Sequence, residues 1–241
     1  IISLFISILY AQITETIIYP TFGSTGHYFG SAVDMEDDLI AVGAEHDYEN
    51  GELAGAAYIF RQVDGQWVQE AKLLASDGSI NDHFGISISI SAGRTLVGAI
   101  LHDGVSRATG GAYIYSFDDS TWFEEIKLVP EEYIPTNSFG ITVSIQNNLA
   151  VIGAPGYNLN GTETGAAYVF ELIDSTWNEQ SVLEPSDGEN EQAFCIVSLS
   201  APFVFIGSPM DDENGYNSGS AYIFFHDGEN WNEVEKIIGT G

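Results

Sequence analysis

Positive charge is the scarcest property of this sequence: three arginines and three lysines face 35 acidic residues, for a formal charge of −29. A field of that sign repels duplexes and anionic bilayers, which excludes nucleic acid and lipid headgroups as partners and favours cations and basic proteins. The same surplus also keeps a protein soluble without any partner. Cysteine is nearly absent, and the single Cys195 excludes an intrachain disulfide framework. A chain of 241 residues buries enough core to do without one. Cys195 therefore reads as a buried free thiol rather than a nucleophile. No apolar run is long enough for a membrane-spanning helix, which needs about 20 residues. Residues 1–12 are apolar and uncharged but too short. They resemble the hydrophobic core and small-residue end of a secretory signal with cleavage near Ala11; the alternative is a first strand packed into the fold. On the signal reading, residues 1–11 are a remnant, 12–241 form one domain with no membrane insertion, and the protein lies outside the cell or on its surface.

Catalytic patterns are missing too. The sequence has no Gly-x-Ser-x-Gly elbow, no paired histidines at zinc spacing and no phosphate-cradling glycine loop. A non-enzyme is expected. The five histidines (His27, His46, His83, His102, His226) are dispersed, although His46 and His102 fall in loops that the fold would place side by side.

What the sequence has is a repeat. Trp67, Trp122, Trp177 and Trp231 lie 55, 55 and 54 residues apart, and three further columns keep the same spacing. Each unit opens with an aromatic and a small residue, at Phe29-Gly30, Phe84-Gly85, Phe139-Gly140 and Phe194-Cys195. An apolar run then ends at Gly43-Ala44, Gly98-Ala99, Gly153-Ala154 and Gly207-Ser208. A tyrosine follows among β-formers, at Tyr58, Tyr113, Tyr168 and Tyr222, and the tryptophan closes the unit. The units run 27–82, 83–137, 138–192 and 193–241. A period of this size marks a radial or solenoid array.

Each unit carries four stretches of strand character. In the second they are residues 86–90, where Ile and Ser alternate, then 95–97, 112–115 and 122–129. Four-stranded antiparallel sheets repeated radially make an all-β fold, a β-propeller. With the strands named A to D from the axis outward, the small residues of strand A suit the crowded centre and the tryptophan belongs to outer strand D. One period before the first strand D, residues 12–19 resemble a further outer strand that has lost its tryptophan. Chain direction gathers the long, polar B–C loops (45–55, 100–110, 155–165, 209–219) and D–A linkers (76–83, 130–138, 186–193) on one face. The other face has tight turns such as Asp64-Gly65. Loop-borne function belongs to the first face.

These columns resemble the FG-GAP repeat of integrin α-chain propellers and of many secreted bacterial proteins. Phe84-Gly85, Val97-Gly98-Ala99 and Gly110-Gly111-Ala112-Tyr113 carry the resemblance, and Ala75-Ser76-Asp77-Gly78 looks like the bacterial tandem version. It covers about residues 17–241 and implies a seven-bladed parent, of which this chain holds four units and an extra strand. Integrin α-chains carry an Asp-x-Asp-x-Asp-Gly-x-x-Asp calcium loop in the A–B turn. Here those turns are short, and the acidic Asp34-Met35-Glu36-Asp37-Asp38 lacks the glycine, so that calcium site is not expected.

Acidic residues gather instead on the long-loop face. Asp47 with Glu49 and Asp211 with Glu213 precede glycine turns, and Asp77 and Asp82 bracket another; Glu189, Asn190 and Glu191 adjoin Gly188. Oxygen ligands ahead of a glycine turn suit Ca2+, the alternative being solvated acidic turns. Asn160-Gly161-Thr162 is a glycosylation sequon. The functional expectation is a secreted or surface module that binds an extracellular protein or glycan, in adhesion, through this acidic face. The alternatives are a carbohydrate-binding or carbohydrate-active propeller, with Tyr48, Tyr157 and Tyr216 as exposed aromatics, and a structural spacer in a larger extracellular protein.

Overall fold

A computed structural model describes residues 16–21, 25–101, 109–132, 138–159, 162–188 and 192–239. The proposed signal remnant 1–11, His102, Asn160-Gly161 and residues 189–191 lie outside the described residues. Four antiparallel sheets follow one another along the chain. Blade 1 is β1 (Phe29–Glu36), β2 (Leu39–Ala44), β3 (Ala56–Val63) and β4 (Gln66–Leu73); blade 2 is β5 (Ile88–Ser91), β6 (Arg94–Ala99), β7 (Gly111–Phe117) and β8 (Trp122–Leu128). Blade 3 is β9 (Thr142–Gln146), β10 (Leu149–Ala154), β13 (Ala166–Ile173) and β14 (Thr176–Leu183), with a small hairpin of β11 (Asn158–Leu159) and β12 (Thr162–Glu163) in its B–C loop. Blade 4 is β15 (Ile196–Ser200), β16 (Phe203–Ser208), β17 (Ser220–His226) and β18 (Trp231–Ile238). Each is a simple meander, and no helix occurs among the described residues.

The register is as periodic as the sequence. In every blade the strand C to strand D pairing shifts just after the tyrosine, at Ile59/Phe60, Ile114/Tyr115, Val169/Phe170 and Ile223/Phe224. An irregularity of this kind in the same place four times gives each blade the same added twist towards its outer edge.

Neighbouring blades are joined at three depths. Near the axis, side chains of one strand A accept from main-chain N–H groups of the next. Asp34 accepts from Ile90 at 2.8 Å, the Ser89 hydroxyl from Ile145 at 3.2 Å and the Ser144 hydroxyl from Leu199 at 3.0 Å. This is the role of the small polar residues that alternate along strand A. In the middle, Phe84, Phe139 and Phe194 are fully buried, each edge-on to its blade's tyrosine at 5.1–5.4 Å between ring centroids. Such edge-to-face contacts add to the area the rings bury. At the rim, the Trp122 indole N–H donates to Glu70 at 3.0 Å and that of Trp177 to Glu125 at 3.1 Å, each carboxylate standing on the preceding blade's strand D. Trp177 is buried, and Trp67, Trp122 and Trp231 are half-buried against the blade cores.

The expected N-terminal outer strand is corrected in part. Residues 16–20 form no ladder, because no strand C stands beside them among the described residues. Ile18 nevertheless packs against the cluster of Tyr58 and Phe60, and the Thr21 N–H donates to the Gln69 side chain at 2.7 Å. At the two ends of the described arc one sheet face is open. Phe203, Phe205 and Ile237 of blade 4 are exposed, as are Val33 and Met35 of blade 1.

The glycine that ends strand B is forced by the next blade. A Cβ on Gly98 would lie 2.0 Å from the Gly140 carbonyl oxygen, and one on Gly43 would lie 2.0 Å from that of Gly85. On Gly207 it would meet only Ile196, at 3.3 Å. Gly98→Ala should therefore cost more than about 3 kcal/mol, the upper range for overpacking, while Gly207→Ala should cost under about 1 kcal/mol. Denaturant unfolding of the two variants checks this; equal costs would mean that the blades do not meet at this column.

Candidate functional site

The B–C loops and D–A linkers lie together on one face, tied beneath by a repeated ionic group. Asp47 sits in the turn after β2, its side chain 1% exposed. It accepts from the Glu49 N–H at 3.0 Å and the Tyr58 hydroxyl at 2.9 Å, and the His27 Nδ1 lies 3.1 Å away. Lys72 Nζ, from strand D, donates to both Asp47 oxygens at 2.9 and 3.0 Å and to Glu49 at 2.7 Å. Blade 4 repeats the arrangement. Asp211, also 1% exposed, accepts from the Glu213 N–H at 2.9 Å and from Ser220 at 2.8 Å. Lys236 Nζ stands 2.6 Å from Asp187, 2.8 Å from Asp211 and 2.6 Å from Glu213. The Tyr222 hydroxyl lies 2.8 Å from Asp187 and 3.0 Å from Asp211. In blade 2, Lys127 and the Tyr113 hydroxyl both donate to Asp77 at 2.8 Å, which ties that blade to the linker before it.

The carboxylates that suggested calcium are thus the counter-ions of the chain's own lysines. Asp47, Glu49, Asp77, Asp211 and Glu213 each pair with a lysine ammonium. Asp82 is buried and turned inward, accepting from the Ser79 N–H at 2.6 Å. The signal for this was in the sequence. Lys72, Lys127 and Lys236, all the lysines of the chain, stand five residues after their tryptophans, at one position of strand D. Blade 3 has Val182 there, and Tyr157 stands where blades 1 and 4 have Asp47 and Asp211.

Titration follows from these contacts. Burial alone would raise the Asp211 carboxyl, but the bonds from Lys236, the Glu213 N–H, Ser220 and Tyr222 outweigh it and hold the group at about 2. Asp47 is lowered in the same way: burial raises it, and bonds from Lys72, the Glu49 N–H and Tyr58 more than reverse that. Burial and the bond to Asp47 push the Tyr58 hydroxyl up to about 12. Burial raises the Cys195 thiol to about 11, so it is protonated at neutral pH and inert.

Of the three aromatics expected on this face, Tyr216 is 89% exposed and Tyr48 is 44% exposed. Tyr157 is not available. It is 5% exposed, packs edge-on to Tyr168 and donates to Glu184 at 3.1 Å, because it fills the space that the ionic group takes in the other blades. An open groove of about 320 Å³ between blades 3 and 4 is lined by Pro155, Gly156, Glu163, Ala193 and Met210. The sequence left the histidines scattered, but the fold brings His83, from the linker into blade 2, against His46, with ring centroids 5.2 Å apart. Glu45 completes this group, its Oε2 3.6 Å from His83 Nδ1.

The sequence profile of the FG-GAP repeat matches residues 15–60, 67–115, 122–170 and 177–224. The chain belongs to the FG-GAP repeat family. Three of the four matches begin at a strand D tryptophan and end in strand C of the following blade, so the family's unit straddles each blade junction. Among solved structures, the N-terminal domain of Nup159 is similar at 10% identity with a TM-score of 0.45, over 84% of this chain and 47% of that one. The FG-GAP propeller described here therefore spans about half the length of that chain. No curated protein matches the sequence.

The Asp211 carboxylate contributes stability that is complete above about pH 4 and lost as pH falls towards its folded value of about 2. Lys236→Met leaves that buried charge without its main partner and should cost about 3 kcal/mol or more at pH 6. The gap to the parent protein should then shrink as pH falls from 4 to 2, because the parent's Asp211 carboxylate loses about half its charge by pH 2. Urea titrations across that range provide the measurement, and a gap constant with pH would show that Asp211 is not what Lys236 holds.

Proposed function

We propose that this FG-GAP propeller is a secreted or cell-surface binding module that engages a basic extracellular protein through its long-loop face. The observation that carries the reading is the display of Tyr48, Glu49, Glu213 and Tyr216 on loops whose bases are fixed by Lys72 and Lys236. Tyrosine gives large contact area at small entropic cost, and a loop fixed at its base loses less freedom when it binds. The Glu49 and Glu213 side chains remain half exposed on the ionic groups, where they can accept bonds from a basic partner, and the chain's charge of −29 raises the encounter rate with such a partner. An extracellular setting agrees with FG-GAP membership. The reading involves no chemistry on the partner: the ionised carboxylates at the loop bases serve lysines, and the lone thiol is buried. The glycan alternative is weakened by the burial of Tyr157, which leaves two of the three expected tyrosines exposed, on unequal loops.

An array of secreted proteins and glycans, probed with the purified chain, tests this. The expected hits are basic proteins whose binding fades as salt rises and weakens at least about tenfold in Tyr216→Ser combined with Glu213→Gln. Asp118→Asn and Asp227→Asn, on the tight-turn face, should leave binding unchanged. Binding that depends on the tight-turn pair instead, or hits confined to neutral glycans, would overturn the proposal.

A further inference from the structure

We propose that Glu45, His46 and His83 form a binding site for a divalent first-row transition metal ion of the zinc class, placed across the junction of blades 1 and 2. Glu45 and His46 directly follow β2, and His83 directly precedes Phe84, whose backbone bridges to Gly55 of the preceding B–C loop. One ligand atom from each residue lies within 4.8 Å of the other two. Three donors held about 2.0–2.1 Å from one tetrahedral ion stand about 3.3 Å apart, so the 3.6 Å between His83 Nδ1 and Glu45 Oε2 is already close to that span. The most distant pair needs to close by at most about 1.5 Å, which a small rotation of the side chains supplies.

The second observation is a buried ring nitrogen with no hydrogen bond. His83 Nδ1 is buried and makes no hydrogen bond, and its 3.6 Å separation from Glu45 is too long for one. A buried polar atom left unpaired costs free energy and calls for a specific explanation, a bound ion among them. The His46 ring is held by stacking on Tyr28 at 4.1 Å, and main-chain bonds fix the two histidines in the backbone: the His46 amide donates to the His27 carbonyl at 3.3 Å and the His83 amide to the Leu53 carbonyl at 3.0 Å.

The third observation is the repeat itself. Ile100, Leu101 and Ser138 occupy the equivalent places at the next junction, Pro155, Gly156 and Ala193 those at the one after, and Pro209 and Met210 continue the series in blade 4. None of these sets offers an imidazole or a carboxylate. The left-handed backbone of His83, φ 55°, is shared by Tyr28, Ser138 and Ala193 and so belongs to the blade; the imidazole does not. Three departures from the repeat thus meet at one point, and all three are metal ligands.

The donor set selects the ion. Two imidazole nitrogens and one carboxylate suit zinc and its neighbours and leave a fourth position for water, whereas calcium requires six to eight oxygens. The site is separate from the lysine-filled carboxylates, and the chain's charge favours any divalent cation near it.

The test is titration of the chelator-treated chain with Co2+ and Zn2+. Expected are one equivalent bound, the visible absorption of tetrahedral Co2+, displacement of Co2+ by Zn2+, a raised melting temperature, and no competition from Ca2+. His46→Leu and His83→Ser import residues the second junction already carries, so the metal-free fold should be retained. Each should weaken binding by more than the roughly 10–100-fold that loss of an outer-shell partner costs. His226→Gln, distant in sequence, should change nothing. Absence of stoichiometric binding, or binding that survives the double variant His46→Leu/His83→Ser in metal-free folded protein, would overturn the proposal.

Discussion

The structure depends on main chain meeting main chain between blades. At Gly43, Gly98 and Gly153 the next blade's carbonyl oxygen, from Gly85, Gly140 and Cys195, comes within about 2 Å of where a Cβ would stand. That approach brings the strand A hydroxyls and Asp34 within reach of the neighbouring N–H groups, and Phe84, Phe139 and Phe194 are fully buried beside it. The outer tryptophans then reach the preceding blade's Glu70 and Glu125. Small residues near the axis and large ones at the rim are consequences of sheets that diverge from a shared line.

Charge has a division of labour inside this frame. The few cations are placed where carboxylates have been taken out of water. Lys72 and Lys236 serve buried aspartates at the bases of loops, Lys127 by contrast serves the exposed Asp77, and Arg61 and Arg94 pair with the same rim glutamates that receive the indole N–H groups. Most of the remaining acidic side chains among the described residues are exposed to solvent. The protein thus has a neutralised framework and an uncompensated surface that extends over both the long loops and the tight turns.

The fold was legible because radial repetition writes each packing requirement several times. The Phe-Gly, Gly-Ala, Tyr and Trp columns are the inter-blade contacts, seen once per unit. The strands of the second unit fall within two residues of where alternation placed them. The ionic groups were legible only in part, because an aspartate before a glycine turn reads equally as a calcium ligand until its partner is known. That partner is a lysine about 25 residues later, and its fixed distance from the tryptophan was the missing sign. Tyr157 misled for a related reason: in a repeat, an aromatic at a loop position in one unit alone can be a plug instead of a platform. The meeting of His46 with His83 depends on how the linker into blade 2 folds over the preceding loop, which no periodicity encodes.

The axial hydrogen bonds have a consequence for how the molecule comes apart. They join residues 53 to 56 positions apart, so each reaches the next blade and goes no farther. Coupling between blades is therefore between nearest neighbours, as in a linear array bent around an axis. A local opening in one blade is then felt by the blades on either side of it and not by more distant ones, so amide protons exchange in cooperative units about one blade in size.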